Sequence, residues 1–72
     1  MATLDVRPIL ARGEEPFDTI METVAALEPG EPLELFVSFE PVPLFSVLGG
    51  QGFRHEAQQL DNGDYRVVFQ KS

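Results

Sequence analysis

The stretch from Phe36 to Leu48 constrains the fold most, because a strand pattern that begins at Leu33 passes directly into a helix pattern there. Apolar residues occupy every second position up to Phe39, which predicts a strand with one fully apolar face. Phe36 lies on the opposite face, where an aromatic residue can mark a contact surface. A strand joined so closely to a helix predicts a sheet packed against helices. The residues expected to face the core are Leu33, Leu35, Val37 and Phe39.

Two prolines indicate that a short helix begins directly after this strand. Pro41 and Pro43 both fit a first helical turn, where the missing proline N–H needs no partner, and Glu40 is positioned to cap that turn. Gly49-Gly50 is expected to end the helix. The residues expected to face the core are Leu44, Val47 and Leu48.

An earlier strand–helix unit is predicted before this stretch. Alternation over Thr3–Arg7 indicates a short strand that Pro8 ends, and residues 9–13 form a connection. The helix is expected to begin around Pro16 and to end at Pro29-Gly30. Its predicted core stripe is Phe17, Ile20, Met21, Val24 and Leu27.

Asn62-Gly63 predicts a hairpin between the last two strands, expected at 53–60 and 65–71. A two-residue turn would place Asp61 opposite Asp64, and like charges disfavour that pairing. A three-residue turn with Gly63 in the left-handed region avoids this pairing, and we favour that register. It directs four residues of the third strand toward the apolar face of the fourth: Phe53, His55, Ala57 and Gln59.

The predicted order of elements is β-α-β-α-β-β, which defines one α+β domain over residues 1–72. Right-handed crossovers make the first three strands parallel and put both helices on one face of the sheet. The fourth strand is the more apolar member of the hairpin and should therefore be interior. The expected architecture is a two-layer sandwich whose mixed four-stranded sheet has the order 1-2-4-3. Arg66 would lie on the open sheet face, where Phe36 and Val68 form a candidate contact patch.

Composition excludes several classes of function. The chain has no cysteine, which rules out disulfides and thiolate chemistry. Twelve acidic residues against five basic ones give a net charge of −7, which disfavours nucleic-acid binding. The negative charge is expected to keep the protein soluble. The alternative is that it attracts a basic partner protein. No apolar run is long enough to cross a bilayer and the first residues lack a signal-peptide pattern. We therefore expect a cytoplasmic location, no membrane association and no cofactor.

Short motifs along nearly the whole chain resemble those of a known family. They are Leu4-Asp5, Pro29-Gly-Glu31, Glu40-Pro41 and Gly52-Phe-Arg-His-Glu56, and the pattern is similar to that of the TusA/SirA sulfur carriers. A closer resemblance is to uncharacterised TusA-related small domains, in which Asp-x-Arg opens the chain and Pro-x-Pro-Leu begins the second helix. Those motifs are Asp5-Val-Arg7 and Pro41-Val-Pro-Leu44 here. The resemblance implies a TusA-like fold.

The resemblance does not imply sulfur transfer. The sulfur carriers use a cysteine in a Cys-Pro-x-Pro motif at the start of the first helix. When Pro16 is aligned with the second proline of that motif, Gly13 occupies the cysteine position. Persulfide chemistry requires a thiolate, and this chain has none.

The carboxyl ends of the parallel strands are the expected position of a site. Two helix starts converge there with Arg7 and Arg12, which predicts a positive locus for a small anion or a partner's acidic group. The alternative is that Glu14, Glu15 and Glu40 already satisfy the helix ends while the arginines pair locally. The full candidate surface is Asp5, Arg7, Arg12, Glu40, Pro41, Pro43 and Arg66.

No metal site or catalytic group is predicted. His55 is the only histidine, and no spacing of ligand residues supports a metal site around it. We expect a non-enzymatic module that binds a protein or a small anion. The alternative is an accessory protein of a sulfur-transfer or redox pathway that docks with a carrier's partners without relaying sulfur. An enzyme using Asp5, Arg7 and Glu40 is the least favoured class, because no nucleophile accompanies these residues. The sequence leaves the oligomeric state open.

Overall fold

Four strands and three helices lie within residues 1–71. The computed structural model describes residues 1–71. Within these residues, no helix is long and apolar enough to span a membrane. In chain order the elements are β1 (Ala2–Asp5), α1 (Arg7–Ala11), α2 (Phe17–Ala25), β2 (Leu33–Val37), α3 (Val42–Gly50), β3 (Phe53–Gln59) and β4 (Tyr65–Lys71).

The four strands form one mixed sheet in the order β1-β2-β4-β3. β1 pairs with β2 in parallel, and β4 runs antiparallel to both β2 and β3. The predicted α+β class, mixed sheet and strand order are therefore confirmed. The chain has two parallel strands joined by helices and then a tight hairpin. Few sheet arrangements with this connectivity keep β4, the more apolar hairpin strand, in the interior.

The favoured hairpin register is also confirmed. The Leu60 amide donates to the Asp64 carbonyl at 2.7 Å, and the Gly63 amide donates to the Leu60 carbonyl at 3.0 Å. This closes a three-residue turn in which Gly63 has a φ of +89°. His55 consequently lies opposite Phe69, on the face of the sheet that carries the core.

The core lies between the helices and one face of the sheet. Alternate residues of β2 and β4 point into it, as the period of two requires. No polar or charged residue is buried within residues 1–71. The buried hydrophobic side chains of this core are Val6, Ile20, Leu33, Leu35, Val37, Leu44, Leu48, Val67 and Phe69.

The prediction of two helices is wrong, because residues 7–11 form a third, short helix. β1 ends at Asp5, two residues before the predicted end. Pro8 then occupies the first turn of α1, where its missing N–H costs nothing. Val6 is nevertheless fully buried, as its apolar character predicted.

Several predicted boundaries are displaced. α2 ends at Ala25, four residues before Pro29. Glu40 does not cap α3, because Pro41 holds the cap position and no side chain bonds the helix end. α3 ends at Gly50, as the Gly49-Gly50 signal predicted, with both glycines inside its last turn. Each difference falls at an element end, where local sequence signals are weakest.

Three side chains predicted to be core are exposed. The exposed fraction is 40% for Phe17, 48% for Phe39 and 37% for Val47. Phe39 lies two residues beyond the end of β2, so the alternation no longer directs it inward. Phe17 is the first residue of α2, at the edge of the helix layer. These three side chains define the feature described next.

Candidate functional site

An apolar groove lies between the starts of α2 and α3, beyond the carboxyl end of β2. Its volume is about 480 Å³. Buried side chains form its floor, and half-exposed ones form its walls. The lining consists of Glu15, Pro16, Phe17, Asp18, Ile20, Val37, Phe39, Pro41, Pro43, Leu44 and Val47. We refer to it as the helix-start groove.

Prolines shape the walls of the helix-start groove. Pro16 and Pro41 are both buried and occupy the cap positions of α2 and α3. Pro43 follows within the first turn of α3 and lines the same wall. Because proline fixes its own φ and restricts the residue before it, the backbone at both helix starts has limited conformational freedom.

The rim of the groove is acidic. Glu15 and Asp18 line it, and Glu40 lies between two of its wall residues in the chain. Glu15 accepts a hydrogen bond from the Phe17 amide at 3.1 Å and so satisfies the first amide of α2. Asp18 and Glu40 have no ion-pair partner among residues 1–71. Negative charge at this rim is therefore not neutralised within the described chain.

The start of α3 offers no free amide to an anion. Pro41 and Pro43 have no N–H. The Val42 amide donates to the Glu40 carbonyl at 2.9 Å, and the Leu44 amide donates to the Pro41 carbonyl at 3.0 Å. A helix N-terminus binds anions through unpaired N–H groups, and here these groups are missing or used.

Arg7 contacts three parts of the sheet. Its guanidinium donates to both carboxylate oxygens of Asp5 at 2.8 and 2.9 Å, and to Asp64 at 2.9 Å. The same group lies 5.3 Å from the centre of the Phe36 ring. The Asp5 contact lowers the pKa of that carboxyl and raises the pKa of Arg7. The Asp5-Val-Arg7 motif thus ties β1 and β2 to the hairpin turn.

A second ion pair crosses the open sheet face. Arg66 on β4 donates to Glu34 on β2, and Thr3 on β1 donates to the same carboxylate at 3.1 Å. These contacts lower the pKa of Glu34, the Arg66 hydrogen bond most strongly. Val68 lies opposite Glu34 and is half-buried. The two residues of the candidate sheet-face patch, Phe36 and Val68, are therefore separated by the charged side chains of Glu34 and Arg66.

The predicted site residues divide into separate groups. Asp5 and Arg7 pair with each other, while Arg66 belongs to the network on the open face. Arg12 is exposed and pairs with Glu14 at 3.0 Å. Pro41 and Pro43 line the helix-start groove. Both arginines proposed for an anion already have carboxylate partners, and the anion site stays a prediction.

His55 takes part in a ring stack. Its imidazole lies parallel to Phe45 with 3.8 Å between ring centres, and Phe69 packs against both rings. Within residues 1–71, no group of three His, Cys, Asp or Glu residues is placed to hold a metal ion. The stack accounts for this histidine through packing.

The helix-start groove was missed because its walls were assigned to the core. One signal was available in the sequence. α3 carries no charged residue, yet in a two-layer fold one side of each helix faces away from the sheet. An uncharged helix in that position must leave apolar surface open. Val47 supplies part of that surface, and Phe17 and Phe39 extend it.

The fold and groove define a class of protein: a small two-layer α+β domain with an exposed apolar groove at its helix starts. A family model described as "Uncharacterized conserved protein (DUF2249)" matches residues 3–71, and the chain belongs to that family. No match was found among the curated proteins, and none among the solved structures.

Proposed function

We propose that this domain is a non-enzymatic protein-binding module whose docking site is the helix-start groove. The partner segment presents an apolar side chain flanked by basic residues. The observation that carries the proposal is the combination of half-exposed Phe17, Phe39 and Val47 with an unneutralised acidic rim.

The walls of the groove support an apolar anchor in the partner. Exposed aromatic side chains gathered around a concave surface are typical of protein contact sites. A volume of about 480 Å³ falls in the range of ligand pockets and accommodates one or two large side chains. The prolines restrict the backbone of the groove walls before binding, which lowers the conformational entropy lost on association.

The charge of the rim supports basic residues beside that anchor. Asp18 and Glu40 are exposed and have no cationic partner among residues 1–71. The chain as a whole carries a net charge of −7, which attracts basic segments at long range and raises their association rate. An acidic partner or a small anion would be repelled at the same position.

The lining supports binding over catalysis. Glu15 and Asp18 are the titratable residues of the groove, and no hydroxyl, thiol, amine or imidazole accompanies them in the lining. Carboxylates can act as general acids or bases, but the lining holds no other polar side chain that could orient or polarise a substrate beside them.

Selection from a random peptide library tests the proposal. Peptides selected on the wild-type protein should combine a large apolar residue with Lys or Arg, and Phe39→Ala should weaken their binding at least about tenfold. Asp18→Lys should reduce the preference for basic residues. Glu22→Lys is the matched control, because it makes the same charge change on α2 outside the groove lining. Selected peptides that bind Phe39→Ala as tightly as wild type would refute the proposal.

A narrower alternative is an accessory protein of a sulfur-transfer or redox pathway. It rests on the TusA-like motifs and on one structural observation: Pro16, aligned with the carriers' proline motif, lines the helix-start groove. Competition between this chain and a cysteine-bearing carrier for the carrier's partner would support it, and independent binding would contradict it. A TusA relationship and a cytoplasmic location stay predictions.

A further inference from the structure

The edge strand β3 is open to pairing with another strand. β3 is last in the sheet order and seven residues long, whereas β1 at the other edge has four. Six of its seven residues are exposed. Its register with β4 is continuous from Phe53 to Gln59, so no bulge twists the edge away, and it contains no proline. Short length, bulges and prolines are among the features that keep strand edges from pairing, and β3 has none of the three.

Two charged residues on this edge have no partner. Arg54 and Glu56 lie on the open face of the sheet, opposite Gln70 and Val68 of β4. Both are exposed, and neither forms an ion pair within residues 1–71. The other arginines, at positions 7, 12 and 66, all have carboxylate partners.

We propose that β3 pairs antiparallel with β3 of a second copy of this chain, with the two-fold axis at His55. In an antiparallel pair, residues at equal distances on either side of the two-fold axis lie opposite each other. Arg54 of each copy therefore lies opposite Glu56 of the other. The result is a continuous eight-stranded sheet with two symmetric ion pairs across the junction. Phe53 lies opposite Ala57 of the second copy on the helix side.

Charge selects this register among the symmetric ones. An axis at residue 54 would place Arg54 opposite itself, and an axis at residue 56 would place Glu56 opposite itself. Like charges directly opposite in an antiparallel pair are destabilising. An axis at Ala57 gives no pair of opposite charges. Only the axis at His55 pairs each free cation with a free carboxylate.

Sedimentation of charge variants tests the dimer and its register together. Arg54→Glu and Glu56→Arg should each raise the dimer dissociation constant at least about tenfold, since both junction pairs become repulsive. The double variant, which exchanges the two charges, should restore wild-type association. The substituted side chains are exposed, so the fold is retained, and circular dichroism checks this.

Two outcomes would overturn the proposal. One is a wild-type chain that stays monomeric at about 1 mM, where a specific pairing would be populated. The other is a dimer that Arg54→Glu leaves unchanged, or that the exchanged double variant fails to restore. Pairing through β3 does not involve the helix-start groove, so Phe39→Ala serves as a control that should leave the dissociation constant unchanged.

An introduced cysteine gives an independent measurement, because the chain has no cysteine of its own. His55→Cys places two thiols opposite each other at the axis, where Cα atoms are about 4.5–5.5 Å apart. Mild oxidation should give a covalent dimer. Gln59→Cys, on the same strand and face, lies four residues from the axis and should not. Equal cross-linking of both variants would refute the register with its two-fold axis at His55.

Discussion

Replacing Phe39 with alanine separates the binding role of the helix-start groove from its structural role, and Phe69 supplies the control. The two residues are of the same type and differ in burial, at 48% and 1% exposed. A phenylalanine side chain buries about 200 Å² when fully covered, so Phe39 buries roughly 100 Å². At about 25 cal/mol per Å², and with about 20% subtracted for area already buried in the unfolded chain, Phe39→Ala should cost no more than about 2 kcal/mol.

Phe69→Ala should cost about 3 to 5 kcal/mol. Its side chain is enclosed by the core, so truncation leaves a cavity, whereas the groove at Phe39 is open to solvent and leaves none. A domain of 72 residues has a total stability of about 4 to 11 kcal/mol. The Phe69 variant therefore loses a large part of its stability, and the Phe39 variant stays folded.

Urea unfolding followed by far-UV circular dichroism measures both costs. With a slope near 1 kcal/mol per molar urea, the midpoint of Phe39→Ala should fall by no more than about 2 M. The midpoint of Phe69→Ala should fall by about 3 M or more. Equal shifts for the two variants would refute the reasoning, because they would show that Phe39 is enclosed in solution and that the groove is closed.

Three further predictions concern the ion pairs and the glycines. Arg7 holds the pKa of Asp5 below its ordinary value, so this stabilisation is present above about pH 4 and is lost as pH falls through the folded-state pKa. Urea midpoints should fall more steeply with acid in the wild type than in Asp5→Asn; equal slopes would contradict this. Glu34→Gln should likewise make the urea midpoint fall less steeply with acid, because the pKa of Glu34 is also lowered. An unchanged slope would count against a stabilising Glu34–Arg66 pair. Gly63→Ala should cost about 1 to 2 kcal/mol because its φ is +89°. Gly49 lies in a helix with open space for a Cβ, so Gly49→Ala should be stabilising. Similar changes in the free energy of unfolding for Gly63→Ala and Gly49→Ala would exclude backbone strain at Gly63 as the cause.

The sheet could be predicted because its signals are local. Asn62-Gly63 specifies a tight hairpin, and the charges of Asp61 and Asp64 distinguish its two registers. The alternation in β2 and β4 then fixes which face is buried. These patterns depend on residues close in the chain, so no tertiary information was needed to obtain the strand order 1-2-4-3.

Periodicity alone could not locate the groove, because it does not distinguish a covered apolar position from an open one. Phe17, Phe39 and Val47 all fit apolar stripes, yet they meet only where two helix starts approach in space. The pairing of Arg7 with Asp64 is also a tertiary effect, since 57 positions separate the two residues. Without that contact, Arg7 looked available to a ligand.

The most direct test of the binding account is an NMR titration of the ¹⁵N-labelled protein with a library-selected peptide. The account predicts that amide shifts centre on Phe17, Phe39 and Val47, and that they disappear with Phe39→Ala. Shifts confined to the open sheet face around Phe36 and Val68 would contradict it.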